Sequence, residues 1–184
     1  MSHVGLVVLG IATFTVQGLQ GALFQLLNFT VVAGGVFILT SFLHQRIGST
    51  DLVSLGGVAR SMPLLSSFFL LFGLAGMGVP GTSGFPAEFL MLVSALHTHT
   101  GAGLAALFGM VLGAGYFLSF YRRAFLGPVK SSIVEDCVDL AWRELLLVAL
   151  LAALLLFAGL YPNGVLDFTR DSAQRWMQHL GITL

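Results

Sequence analysis

Charge is scarce in this sequence. Asp, Glu, Lys and Arg make up 9% of its 184 residues, and the mean hydropathy is +0.95. A soluble domain carries about a quarter charged residues, so an ordinary water-soluble fold is excluded. An all-α integral membrane protein is expected instead, and at about 20 residues per span the length allows about five or six helices. Net charge is zero, so nothing points to nucleic acid or an acidic partner. Cysteine is nearly absent. Cys137 alone excludes an internal disulfide and offers no thiolate metal cluster. No Walker loop, G-x-G-x-x-G, C-x-x-C, H-E-x-x-H or nucleophile elbow is present. No cofactor or metal is therefore expected. His97 and His99 form an H-x-H pair with no carboxylate or further histidine nearby in sequence, which reads as an interfacial loop. Only His3 falls in an apolar helix, which argues against haem. Met1-Ser2-His3 lacks a basic n-region, so no signal peptide is expected. Neither a 20–50-residue period nor a low-complexity tract stands out. What remains available is movement of protons or ions by buried titratable and hydrogen-bonding groups.

The charges that do occur are unevenly placed. All but one lie in three hydrophilic stretches, 44–60, 122–144 and 167–175. The exception is Glu88, with Phe85 before it and Phe89-Leu90-Met91-Leu92-Val93 after it. A carboxylate costs free energy in hydrocarbon, so it should face a polar interior or a wet path and serve a purpose. The plainer alternative is a Glu at a helix start, satisfied by backbone N–H groups. Just before it, residues 78–90 hold two of the five prolines and three glycines. Pro80, Gly81, Gly84 and Pro86 make a continuous helix through 80–86 untenable. Irregular backbone at membrane depth is tolerated only where protein or a wet cavity covers it.

In chain order, helices are expected at about 4–16, 18–43, 62–77, 85–97, 101–122 and 144–161, with an amphipathic tail over 167–184, all in one membrane domain. The first apolar stretch is short for a span and reads as the second half of a helix. The second carries Gln25 and Asn28 among apolar residues. That amide pair suits either interhelical hydrogen bonding or an ion path. Tyr116, Phe117, Phe120 and Tyr121 followed by Arg122-Arg123 form an interface anchor. Arg122, Arg123 and Lys130 are expected to be cytoplasmic. If the broken segment and its flanking helices cross an odd number of times, the 44–60 and 122–143 loops should lie on opposite sides.

The run Val79-Pro80-Gly81-Thr82-Ser83-Gly84-Phe85-Pro86-Ala87-Glu88-Phe89 resembles the L-P-G-T-x-x-F-x-G-E-F motif of antiporter-like membrane subunits. These are chain M of respiratory complex I and its relatives in Mrp-type antiporters and membrane hydrogenases. Val79 and Ala87 replace the family's Leu and Gly. Ser2-His3-Val4-Gly5 resembles its S-H-x-G, and residues 19–28 (L-Q-G-A-L-F-Q-L-L-N) its Q-G-A-x-x-Q-M-x-x-H helix. Residues 51–62, 121–127 (Y-R-R-A-F-L-G), 143–145 and 159–162 resemble later family segments. The family protein is longer and has two inverted repeats, so the resemblance implies the C-terminal part of that fold. It implies a buried proton path with Glu88 at the family's terminal Glu and His3 at a central histidine. Gln25 and Asn28 would lie on that ion path. Two departures matter. The helix bearing the family's central Lys would precede Met1, and the second family histidine falls where Phe29 stands. A Phe cannot relay a proton.

Three readings follow. The chain completes a split proton channel in a larger energy-coupling complex, with Glu88 changing protonation. That complex could resemble complex I, an Mrp antiporter, a hydrogenase or an inorganic-carbon uptake assembly. A second membrane subunit would supply the earlier helices and the central Lys, alongside lipid, protons and, in some of these assemblies, a soluble catalytic subunit. Alternatively the chain is a non-conducting scaffold, a reading that Phe29 favours. An enzyme with its own active site is the weakest reading, because no nucleophile–base pair or metal constellation is visible. The expected location is a bacterial inner membrane, crossed several times.

Overall fold

A computed structural model describes residues 2–52, 55–129 and 132–179. Lys130 and the last five residues of the expected tail lie outside the described residues. Every regular element among those described is helical. They are α1 (Ser2–Ala12), α2 (Val16–Ile47), the short α3 (Val58–Ser61), α4 (Pro63–Gly76), α5 (Gly84–Thr98), α6 (Thr100–Ala124), the short α7 (Ser132–Glu135), α8 (Trp142–Leu160) and α9 (Asn163–His179). Helices α2, α6 and α8 are long and apolar enough to cross a membrane.

Helix α2 extends past both ends of its apolar run 18–43, because its termini are well specified. Thr15 caps the start by accepting the Gly18 N–H, and Gly48 ends it in the left-handed region at φ 77°. Helix α1 stops at Ala12, short of residue 16, and a tight turn through Phe14 leads into α2. Helices α4 and α5 are each about 21–22 Å long at 1.5 Å per residue, too short to span alone. They touch little and follow one another through the non-helical residues 77–83, making one interrupted crossing. The interruption closes sooner than the prolines suggest. Pro86 sits in the first turn of α5, where its missing N–H has no helical partner to lose.

Because α4 and α5 together make one crossing and α6 makes the return, the 44–60 and 122–143 loops share one face. This corrects the expectation of opposite sides. The Ala59 N–H donates to Phe125 O at 3.0 Å. The Arg46 guanidinium pairs with Glu144 and donates to the carbonyls of Val138 and Asp139. An apolar core of Leu39, Leu43, Met62, Leu65, Phe72 and Phe125 lies beneath these loops.

Asp139 ties that face to the interrupted crossing. Its carboxylate accepts from the Leu64 N–H (2.7 Å) and the Leu65 N–H (3.1 Å), two donors at the start of α4 that have no helical acceptor. Asp139→Ala is expected to cost about 1–2 kcal/mol, the usual loss on deleting a helix cap. A thermal melt in mild detergent checks it; an unchanged midpoint would mean that water replaces the cap without loss.

Candidate functional site

The site forms where α4 breaks and α5 begins. Gly78 (φ 65°) and Gly81 (φ 94°) turn the chain through the left-handed region, which costs an L-residue about 1–2 kcal/mol. Gly78 is needed twice over, since a Cβ there would collide with Glu88 Oε2. Gly84 lets α5 start against the backbone of Ala75. Glu88 thus sits one turn into α5, folded against the break, and is 4% exposed.

Polar side chains converge on it in one direction. The Ser83 hydroxyl donates to Asn28 Oδ1 at 2.7 Å. Asn28 Nδ2 donates to Gln25 Oε1 at 3.3 Å, and Gln25 Nε2 to Glu88 Oε1 at 3.4 Å. Gln25 and Asn28 lie three apart on α2, so one helix face presents both to α5. All four groups are buried. Glu88 Oε2 has no hydrogen-bond partner among the described residues. Buried polar atoms normally find one, and an exception calls for an explanation such as an ion, water or functional strain.

Glu88 also lines a half-open cavity of about 720 Å³ between α1, α2, α4 and α6. Its walls are mostly apolar, with Val32, Phe69 and Phe117 among them, while His3 and Tyr116 add polar groups. The His3 ring therefore faces the same space as Glu88, without joining its hydrogen-bonded chain. His3 Nε2 lies 2.7 Å from Gly76 O, and a carbonyl only accepts, so Nε2 carries a hydrogen. The Phe29 ring stacks obliquely on His3 at 5.6 Å between centroids.

Of the residues singled out from sequence, Glu88, Gln25 and Asn28 are brought into one chain of hydrogen bonds. Pro80, Gly81, Gly84 and Pro86 shape the turn that holds it. Ser83 escaped notice, because a serine in a Gly/Pro turn reads as ordinary turn chemistry. Only its position inside the break, five residues before Glu88, could have flagged it.

Residues 1–113 match the family described as NADH:quinone oxidoreductase/Mrp antiporter, TM. The chain belongs to that family. Subunit M of NADH-quinone oxidoreductase from Rickettsia typhi is 36% identical over 167 residues, covering 91% of this chain and 34% of that protein. The Mycobacterium tuberculosis subunit M is 38% identical over 184 residues, covering 98% and 32%. The chain thus spans about a third of the length of the curated relatives it matches. Among solved structures, respiratory complex I from Thermus thermophilus with bound NADH matches at 32% identity and a TM-score of 0.83. That match covers 94% of this chain and 37% of the other. The Mrp complex from Dietzia matches at 20% identity and a TM-score of 0.81, over 96% and 42%, and shares the fold. This is an integral membrane protein of the antiporter-like kind, and its bacterial relatives place it in the inner membrane.

Proposed function

We propose that this chain forms part of a proton-translocating unit in a larger membrane complex, with Glu88 as its protonatable group. The observation that carries this reading is the carboxylate itself. It is buried at a helix break and anchored through Oε1, while Oε2, at the edge of a half-open cavity, has no partner among the described residues. Breaking helices and burying an acid both cost stability, and intramembrane sites of transporters are built on such breaks. A proton arriving from the cavity side would bind Oε2, because Oε1 already accepts from Gln25. The chain Ser83–Asn28–Gln25 fixes the carboxylate's orientation in both protonation states. His3, on the cavity wall, is the nearest imidazole in that space and is assigned to proton supply.

The complex would include further membrane subunits. The structural neighbours, respiratory complex I and the Mrp complex, are complexes too. A second reading, a non-conducting scaffold, draws on Phe29 beside His3. Proton uptake by proteoliposomes holding the intact complex decides between them. Glu88→Gln abolishes uptake under the first reading and leaves it intact under the second.

A further inference from the structure

The buried face of α5 does not end at Glu88. It continues through Met91 to Ser94 and Ala95, toward the turn between α1 and α2. Six residues separate Glu88 from Ser94, about 9 Å along the helix. At Ser94 a second set of polar groups begins. Ser94 Oγ lies 2.8 Å from Thr15 Oγ, and Thr15 Oγ lies 3.0 Å from Thr13 Oγ. Thr13 donates to Gly10 O at 2.7 Å.

These distances fix a direction. A hydroxyl has one proton to give, and Thr13 spends its own on a carbonyl. Thr15 must then donate to Thr13, and Ser94 to Thr15. Ser94 Oγ is left with its accepting side free. The turn that assembles the hydroxyls is strained, because Phe14 holds φ 49° in the left-handed region. A helix cap at Thr15 explains its contact with the Gly18 N–H, but neither the burial of Ser94 (3% exposed) nor the strain at Phe14. Thr15 is half-buried, and the neighbouring residues 97–100 are exposed, so this end meets water.

Between the two polar groups stands Met91, fully buried. Gly10 of α1 and Gly21 of α2 close on it from either side. A Cβ at Gly10 would lie 2.8 Å from Met91 Cγ, and one at Gly21 would lie 2.9 Å from the same atom. Three helices thus clamp a thioether in the gap, leaving no polar link across it.

We propose that Ser94 and Thr15 form the outlet by which a proton leaves Glu88, and that Met91 is the plug that closes it. This rests on the role assigned to Glu88 above. When Met91 swings aside, water enters the gap, takes the Glu88 proton and passes one on to Ser94 Oγ. Thr15 turns its O–H from Thr13 to water at the α1–α2 turn, releases that proton, and takes the one that Ser94 gives up. At each relaying oxygen one O–H bond forms and one breaks; Glu88 loses one and returns to the carboxylate, and the outer water gains one. The outlet opens on the face opposite Arg46, Arg60, Arg122, Arg123 and Arg143, five arginines against the two, Arg170 and Arg175, that α9 holds on the outlet's own side. Basic loops stay cytoplasmic, so release is to the outer side.

The test uses the intact complex in proteoliposomes carrying a trapped pH dye, with a potassium diffusion potential as driving force. Met91→Ser should speed passive proton leak about tenfold, the effect of lowering a barrier by about 1.4 kcal/mol. Met91→Leu refills the gap and should return the leak to the wild-type rate. Adding Glu88→Gln or Ser94→Ala to Met91→Ser should abolish the extra leak. Ser94→Ala alone, which removes one hydroxyl with little change in volume, should slow coupled translocation about tenfold, again about 1.4 kcal/mol on the barrier. It decides the matter if Met91→Ser does not assemble. An extra leak that survives Glu88→Gln, or coupled translocation unchanged in Ser94→Ala, overturns the outlet. If Glu88→Gln blocks translocation while Ser94→Ala does not, the outlet fails and the role of Glu88 stands. If Glu88→Gln has no effect, both fall.

Discussion

Glu88→Gln is expected to abolish proton translocation while leaving the chain folded and assembled. The amide keeps the shape of the carboxylate and can still accept from Gln25 Nε2 through its oxygen. What it loses is the capacity to take and give a proton. A positioned proton-transfer group contributes about two to four orders of magnitude in rate. A fall of at least about a hundredfold in proton uptake is therefore expected, with the melting temperature unchanged or raised. A rise would be informative, because Oε2 is buried without a partner and replacing a poorly solvated charge often stabilises a protein. Uptake at the wild-type rate would sink the proton-carrying role and leave the scaffold reading in place.

Gly78→Ala and Gly81→Ala form the second decisive pair. Both glycines hold positive φ, so each alanine carries a similar backbone strain of about 1–2 kcal/mol. Their surroundings differ. A Cβ at Gly81 meets open space, whereas one at Gly78 runs into Glu88 Oε2. Both variants should melt earlier by a similar amount, but only Gly78→Ala should displace the carboxylate and impair translocation. Thermal melts and proton uptake measured on the same preparations separate strain from site damage. Equal losses of uptake in the two would mean that the break matters as a turn and not as a wall for Glu88.

Some of this was written plainly in the sequence. Glu88 stands alone in a chain whose other charges cluster in loops, and Gln25 and Asn28 are conspicuous among apolar neighbours. Prolines and glycines marked the break because their backbone preferences are local. Properties that depend on partners far along the chain were hidden. Ser83 meets Asn28 across 55 residues, and Ser94 meets Thr15 across 79. Neither serine has a periodicity that would expose it. Thr15 falls inside the helix expected over 4–16 and Met91 inside an apolar run; the structure makes the one a helix cap and the other buried core. The sides of the loops turn on a condition that the sequence leaves open, for a countable reason. Two helices too short to span had to be recognised as a single crossing, and the parity of every later loop hangs on that.

Helix α2 runs for 32 residues, about 48 Å at 1.5 Å per residue. The hydrocarbon core of a bilayer is about 30 Å thick. The helix must lean or project, and the degree of lean depends on lipid chain length. Arg46, through Val138 O and Asp139 O, moors one end to the loop face, and Gln20, through Leu166 O, moors the other to α9. Gln25 and Asn28 lie between those moorings. Their link to Glu88 is already a long hydrogen bond at 3.4 Å. Acyl-chain length thus becomes a physical control on how firmly the carboxylate is held: bilayers that make α2 lean differently stretch or relax the grip of Gln25.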